Sequence, residues 1–280
     1  LKENNDIPLL EAFANRKGPL RASEVQPEVL HFLNSGQLET VNLTEWLAID
    51  HYRLLAAILD ETDGQRHVDT LLPGMERIKG LAVTKAIPAV AEGWLALFQT
   101  VSQQERNAIF QRLTAHRSDS VRCWAAYIVG LEPSGLEQKL EGIRRFAADH
   151  HFGVREIAWM AVRDAISREL KQAISLLERW VQDEDANIRR FAVEATRPRG
   201  VWARHIAELK EHPEQALPLL EPLKSDQSKY VQDSVANWLN DAAKSQPAWV
   251  SEICRTWLEG CDERSTKRIA ARAQRNLKNG

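Results

Sequence analysis

Asp185-Ala-Asn-Ile-Arg-Arg-Phe-Ala192 is one of four segments of this chain built on a single plan. The others are Ser118-Asp-Ser-Val-Arg-Cys-Trp-Ala125, His151-Phe-Gly-Val-Arg-Glu-Ile-Ala158 and Ser228-Lys-Tyr-Val-Gln-Asp-Ser-Val235. Their anchor aliphatics, Val121, Val154, Ile188 and Val231, are 33, 34 and 43 residues apart. That is the period of a helical-repeat solenoid, in which helix pairs stack into a curved array and residues distant in sequence become neighbours. Period-two runs of β-branched residues and glycine-rich phosphate loops are missing, so the fold class is read as all-α.

Each anchor helix has a partner before it. The pattern predicts helices over 102–115, 136–148, 169–181 and 214–224, then 249–258 and a basic last helix near 265–278. The residue three before each anchor is Ser118, His151, Asp185 or Ser228; three of these are good N-caps and His151 is a poor one. Pro133, Pro198, Pro213 and Pro247 fall in the breaks. The long third interval takes its excess from Thr196-Arg-Pro-Arg-Gly-Val-Trp-Ala203, a loop rich in Arg and Trp, of the kind that carries function on repeat scaffolds. Residues 1–45 are expected to form an N-terminal helical cap region, opened into helix by Asn42-Leu-Thr-Glu45, and residues 46–280 a single elongated repeat domain.

The bulk properties exclude more than they identify. The 280 residues are 44% hydrophobic and carry a formal charge of −2, which gives no global attraction to nucleic acid. Three cysteines without paired spacing argue against a disulfide framework or a zinc site, and no metal or other cofactor is expected. No apolar run reaches membrane-spanning length and no leader is evident, so no membrane partner is expected and the cytoplasm is the natural compartment.

Positions at the anchor, +3, +4 and +7 form the apolar face of each anchor helix. The stripe at +2, +6 and +9 reads Cys123, Tyr127, Gly130; then Glu156, Met160, Arg163; then Arg190, Glu194, Arg197; then Asp233, Asn237, Asn240. Spacing alone leaves two readings of it: a solvated face with an inter-repeat ion ladder, or a binding groove with two carboxylates bracketed by arginines. Arg122, Arg155 and Arg189, all at +1, fit a structural role.

Asn187-Ile-Arg-Arg-Phe-Ala-Val-Glu-Ala-Thr-Arg-Pro-Arg-Gly-Val-Trp202 resembles the hallmark segment of the AlkC-type alkylpurine DNA glycosylases. Phe152-Gly-Val-Arg-Glu-Ile-Ala-Trp159 and Tyr230-Val-Gln-Asp-Ser-Val-Ala-Asn-Trp-Leu-Asn-Asp241 share the likeness, which covers roughly residues 100–260. These enzymes group with the AlkD type in a superfamily of HEAT-like repeat proteins. The resemblance implies a HEAT-like solenoid with a concave DNA-binding groove. It also implies excision of cationic methylated purines, chiefly 3-methyladenine, from double-stranded DNA, with little or no base flipping. By the same likeness the catalytic acids fall on Glu156 and Glu194 and the active-site aromatic on Trp202. Arg190, Arg197 and Arg199 become DNA-backbone or site-shaping residues. Arg163, Asn237 and Tyr127, on the stripe, complete the set expected to meet DNA. The chain looks like the form without a C-terminal immunoglobulin-like domain, and Gln232 stands where an arginine is common.

That kit suits the chemistry. Alkylation at N3 or N7 leaves the purine cationic, a good leaving group that needs no protonating acid. Carboxylates stabilise the positive charge shared by sugar and departing base and can orient water. An indole adds cation–π attraction of roughly 0.5–2 kcal/mol. No lysine nucleophile is required, so the mechanism is read as monofunctional. Residues 186–210 hold Arg189, Arg190, Arg197, Arg199, Arg204 and Lys210 against Glu194 and Glu208, a local +4. Residues 264–280 add six more cations and no acid. The alternatives are a HEAT-type protein scaffold and a silent relative that binds DNA structure. Capped repeat arrays of this kind are commonly monomers.

Overall fold

The computed structural model describes residues 10–61, 68–69 and 71–277, and within them all regular structure is helical. The chain divides into two compact units: Leu1–Pro133 with His151–Ile157, and Ser134–His150 with Ala158–Gly280. The first holds α1 (Pro27–Asn34), α2 (Leu43–Leu47), α3 (His51–Glu61), α4 (Val83–Phe98), α5 (Gln103–Thr114) and α6 (Asp119–Leu131). The second holds α7 (Leu136–Ala147) and, after α8 (Phe152–Arg168), which begins in the first unit, α9 (Leu170–Leu177) and α10 (Ala186–Ala195). It continues with α11 (Ala207–Glu211), α12 (Leu217–Leu220), α13 (Lys229–Ala243), α14 (Pro247–Gly260) and α15 (Arg264–Ala273).

The anchor positions build the cores. Val121, Val154, Ile188 and Val231 are each at most 2% exposed, and the +4 residues Ala125, Ala158, Ala192 and Val235 are fully buried. Trp124, Trp159, Trp180, Trp238 and Trp257 fill the interior, while Trp249 is partly exposed. The helix expected over 214–224 is not one helix. Pro218 and Pro222 each lack an N–H and crowd the preceding turn, so the stretch breaks into 3-10 turns at Pro213–Ala216 and Glu221–Leu223 around α12. The last helix ends at Ala273, short of the expected 278, and Lys278 lies outside the described residues.

Two of the +1 arginines, Arg122 and Arg189, are structural, as their spacing suggested. Arg122 donates to the carbonyls of His116 and Arg117, six and five residues back, and pairs with Glu39 at 2.6 Å. Arg189 repeats this on the carbonyls of Asp183 and Glu184 and grips Asp226 with Nε and Nη2 at 2.7 and 3.1 Å. Gln232 keeps the same contact with a shorter side chain, donating to the Asp226 carbonyl six residues back. Gln232 thus keeps the turn clamp that Arg122 and Arg189 supply in their repeats.

The caps depart from expectation. Asp185 caps α10 by accepting from the Asn187 N–H, but the hydroxyls of Ser118 and Ser228 make no capping bond. His151 does cap: its Nδ1 accepts from the Gly153 N–H at 3.1 Å. That bond leaves the ring proton on Nε2, which donates to the Thr40 carbonyl at 2.7 Å. Thr40 in turn donates its N–H and hydroxyl to the two oxygens of buried Asp119, both at 3.0 Å. Burial pushes the Asp119 carboxyl above its ordinary value. Asn42 caps α2 as expected, accepting from the Glu45 N–H at 3.0 Å. Arg16 holds Glu45 through two bonds of 2.9 and 2.6 Å. Residues 16–45 are thus fastened into the first unit.

Candidate active site

Helix α10 sets the site in the second unit. Arg190 and Glu194 are one turn apart on it, and Arg197 follows where the helix has ended. Glu194 is only 3% exposed. Its Oε2 accepts from Arg197 at 3.2 Å, and Arg190 approaches Oε1 to 3.7 Å. The Ser234 hydroxyl donates a short hydrogen bond to the same Oε1. The Arg190 guanidinium stacks 4.2 Å from the centre of the Tyr230 ring. Arg197 reaches the other way to Asp241, at 2.9 Å from Nε and 2.6 Å from Nη2, and Lys244 holds the second oxygen of Asp241 at 3.0 Å. Burial works against the charge on Arg197, yet Glu194 and Asp241 outweigh it and lift its pKa above the ordinary arginine value.

Two members of this network were not legible as site residues. Asp241 falls one residue past the stripe position Asn240. Ser234 stands at the +3 position, where the other repeats place Trp124, Ile157 and Phe191. A hydroxyl on an otherwise apolar face was the available signal, because a buried hydroxyl must find a partner.

The loop after α10 runs from Thr196 to Ile206 and is folded on itself. Trp238 Nε1 donates to the Thr196 carbonyl at 3.0 Å, and the Ile206 N–H donates to that of Pro198 at 3.1 Å. Arg199 donates to the Ser245 hydroxyl at 2.8 Å. Val201 and Trp202 project at the tip, 52% and 54% exposed. Trp202 has φ 57°, the sole non-glycine residue with positive φ among those described. For a bulky side chain that left-handed backbone is strained.

Arg163 corrects an expectation. Its place on the stripe suggested contact with DNA, but it is 2% exposed and lies beneath the loop. Nε donates to the Arg204 carbonyl at 2.8 Å, Nη1 to that of Ala195 at 2.9 Å and Nη2 to that of Arg197 at 2.5 Å. Burial, with the charge of Arg197, pulls its pKa down to about 10. The stripe as a whole is less open than its helical position implied: Cys123, Glu194 and Asn240 are buried too. Asn237 is partly exposed and accepts from Arg275 at 3.2 Å. Glu156 and Tyr127, both partly exposed, belong to the first unit, so what the second unit brings together is Glu194, Arg190, Arg197 and the loop that bears Trp202.

This constellation lies inside a stretch that matches a known family, described as DNA alkylation repair enzyme. The match spans residues 154–273. A relative in Bacillus subtilis (strain 168), the uncharacterized protein YhaZ, is 34% identical over 127 residues, 45% of this chain and 35% of its own. Among solved structures, the alkylpurine DNA glycosylase AlkC of Pseudomonas fluorescens, bound to DNA containing an abasic site analog, superposes with a TM-score of 0.68. It is 24% identical, and the match covers 81% of this chain and 62% of AlkC. AlkD2 of Streptococcus mutans gives a TM-score of 0.55 at 22% identity, over 68% of this chain and 88% of its own. The likeness to these structures establishes the helical-repeat fold expected from the four segments. The chain spans about a third of the length of the Bacillus relative and less than two-thirds of AlkC.

Proposed function

We propose that this chain is a monofunctional DNA glycosylase that removes cationic N-alkylated purines, chiefly 3-methyladenine, from duplex DNA. The observation that carries the reading is Trp202: a half-exposed indole, on a strained left-handed residue, eight positions after a buried glutamate bracketed by two arginines. Exposing an indole and straining its backbone both oppose folding, and the arrangement makes sense where a ligand covers the ring. The alkylation repair family supports the same substrate class.

In this reading the C1′–N9 bond breaks and its electron pair goes to the alkylated base, which leaves neutral. Water adds to the electron-poor C1′ and gives up a proton, leaving an abasic sugar. Trp202 attracts the cationic base through its ring face. Glu194 supplies negative charge, and Glu156 is assigned as the second carboxylate, with the role of orienting water or receiving its proton. Lesion recognition with little or no flipping, and action as a monomer, are parts of the same proposal.

One observation favours a second reading, a binder of DNA structure without chemistry. Glu194 is engaged by Ser234, Arg190 and Arg197 and is nearly inaccessible. Base release from methylated duplex DNA separates the two. Release of 3-methyladenine that collapses in Glu194→Gln or Glu156→Gln, with DNA binding kept, supports the enzyme. No release by the unsubstituted protein, despite salt-sensitive binding, leaves the binder.

A further inference from the structure

Arg163 is a buried cation without a carboxylate in direct contact among the described residues. Its five N–H donors serve three neutral carbonyls instead, and those carbonyls come from both ends of one loop. Ala195 is the last residue of α10, so its carbonyl is among those a helix end leaves unpaired. Arg197 begins the loop and Arg204 closes its tip. Gly200 completes the fit: a Cβ there would lie 3.0 Å from the guanidinium carbon and 3.1 Å from Nε and Nη2. A buried cation that forms no direct ion pair opposes folding, so its retention calls for a use of the geometry it enforces. What it encloses is the turn that lifts Trp202 into the exposed left-handed position.

We infer that Arg163 is a positioning residue, which ties the 195–204 loop into the shape that presents the Trp202 indole to a cationic base. The inference rests on the glycosylase reading for the use of Trp202, but not for the tie itself. Lysine cannot replace it, since a single ammonium lacks the planar fork needed to span three carbonyls.

The test uses the full chain with Arg163→Met and Arg163→Lys, each checked for helicity and cooperative unfolding. Without DNA, trypsin cleavage after Arg199 and Arg204 should be on the order of ten- to hundredfold faster than in the unsubstituted protein. With methylated duplex, single-turnover 3-methyladenine release should fall on the order of tenfold, while affinity for unmodified duplex changes less than about twofold. Because Arg163 acts through Trp202, Arg163→Met combined with Trp202→Ala should release base no more slowly than Trp202→Ala alone. Unchanged protease resistance in both variants overturns the tie. Losses that multiply in the double variant overturn the route through Trp202. If Arg163→Met fails to fold, Arg163→Lys carries the same comparisons. If the unsubstituted protein releases no base, the glycosylase reading fails by itself, and the cleavage rates still decide whether Arg163 holds the loop.

Discussion

Arg197→Met separates a cation that touches DNA from one that balances buried charge. The side chain is 13% exposed and lies between two carboxylates, Glu194 at 4% and Asp241 at 6%. Breaking a buried pair from one side costs roughly 3–5 kcal/mol, because the partner stays behind uncompensated. Here Arg190 still faces Glu194 at 3.7 Å and Lys244 still holds Asp241 at 3.0 Å, so the lower figure applies. The expected loss is about 3 kcal/mol, or roughly a hundredfold in the folding constant. Urea unfolding reads it as a lower midpoint at unchanged slope. Adding Asp241→Asn should return part of the loss, since it removes one of the stranded charges. DNA binding supplies the opposing measurement. A lost phosphate contact lowers the slope of log K against log salt by about 0.9, whereas a lost internal cation leaves it alone. A stability loss below about 1 kcal/mol together with a slope reduced by about 0.9 would refute the internal assignment.

Other substitutions test the rest of the structure. At position 202 the left-handed backbone penalises any Cβ, so Trp202→Gly should be more stable than Trp202→Ala by about 1 kcal/mol, although both lose the indole and release base more slowly; equal urea midpoints would argue against the strain. His51 accepts from Trp124 Nε1 at 3.0 Å, and burial, opposed in part by Asp50, lowers its pKa to about 3. The folded state therefore excludes a proton that the unfolded chain takes up below about pH 6.5. Its contribution is complete above that pH and falls by about 1.4 kcal/mol per unit on the way down toward 3, a slope that should shrink in His51→Gln when midpoints at pH 7 and pH 5 are compared. Asp119→Ala strands the N–H and hydroxyl of Thr40, so it should cost about 3 kcal/mol and raise amide exchange around residue 40, and unchanged exchange there would sever the N-terminal segment from the cluster.

The fold was legible because the four anchors report packing directly. An aliphatic at 121, 154, 188 and 231 with alanine or valine four residues on can face only a core, and all eight positions do. The cap assignments failed where chemistry beyond propensity decided. His151 is a poor cap by residue type, yet its tautomer lets one ring join the Gly153 N–H to the Thr40 carbonyl, a partner 111 residues away that no local pattern shows. The proline-broken stretch at 213–223 was misread because its leucines kept a helical spacing while Pro218 and Pro222 removed the hydrogen bonds. Of the site, Glu194, Arg190 and Arg197 stood out by charge on one stripe. Ser234 did not, because its role depends on α13 meeting α10. Arg163 was placed on the right stripe and given the wrong environment, since helical phase fixes direction and says nothing of what the loop following α10 lays over it.

Charge counting shows the same limit from the other side. Residues 186–210 carry six cations, but Arg189 is bound by Asp226, Arg190 faces Glu194, and Arg197 joins Glu194 to Asp241. Those three arginines meet three carboxylates, two of them supplied from beyond the counted window, and the group is neutral. What remains to face an anion is Arg199, Arg204 and Lys210, with His205 beside them. Burial, then the charges of Arg199 and Lys210, lowers the His205 pKa below its ordinary value. These cations belong to or follow the loop that carries Trp202. A phosphate backbone drawn to this face would therefore be held beside the indole rather than along the whole helix. On the proposed reading, positioning and lesion contact would then depend on this one loop and the residues just after it, more than on the repeat stripe.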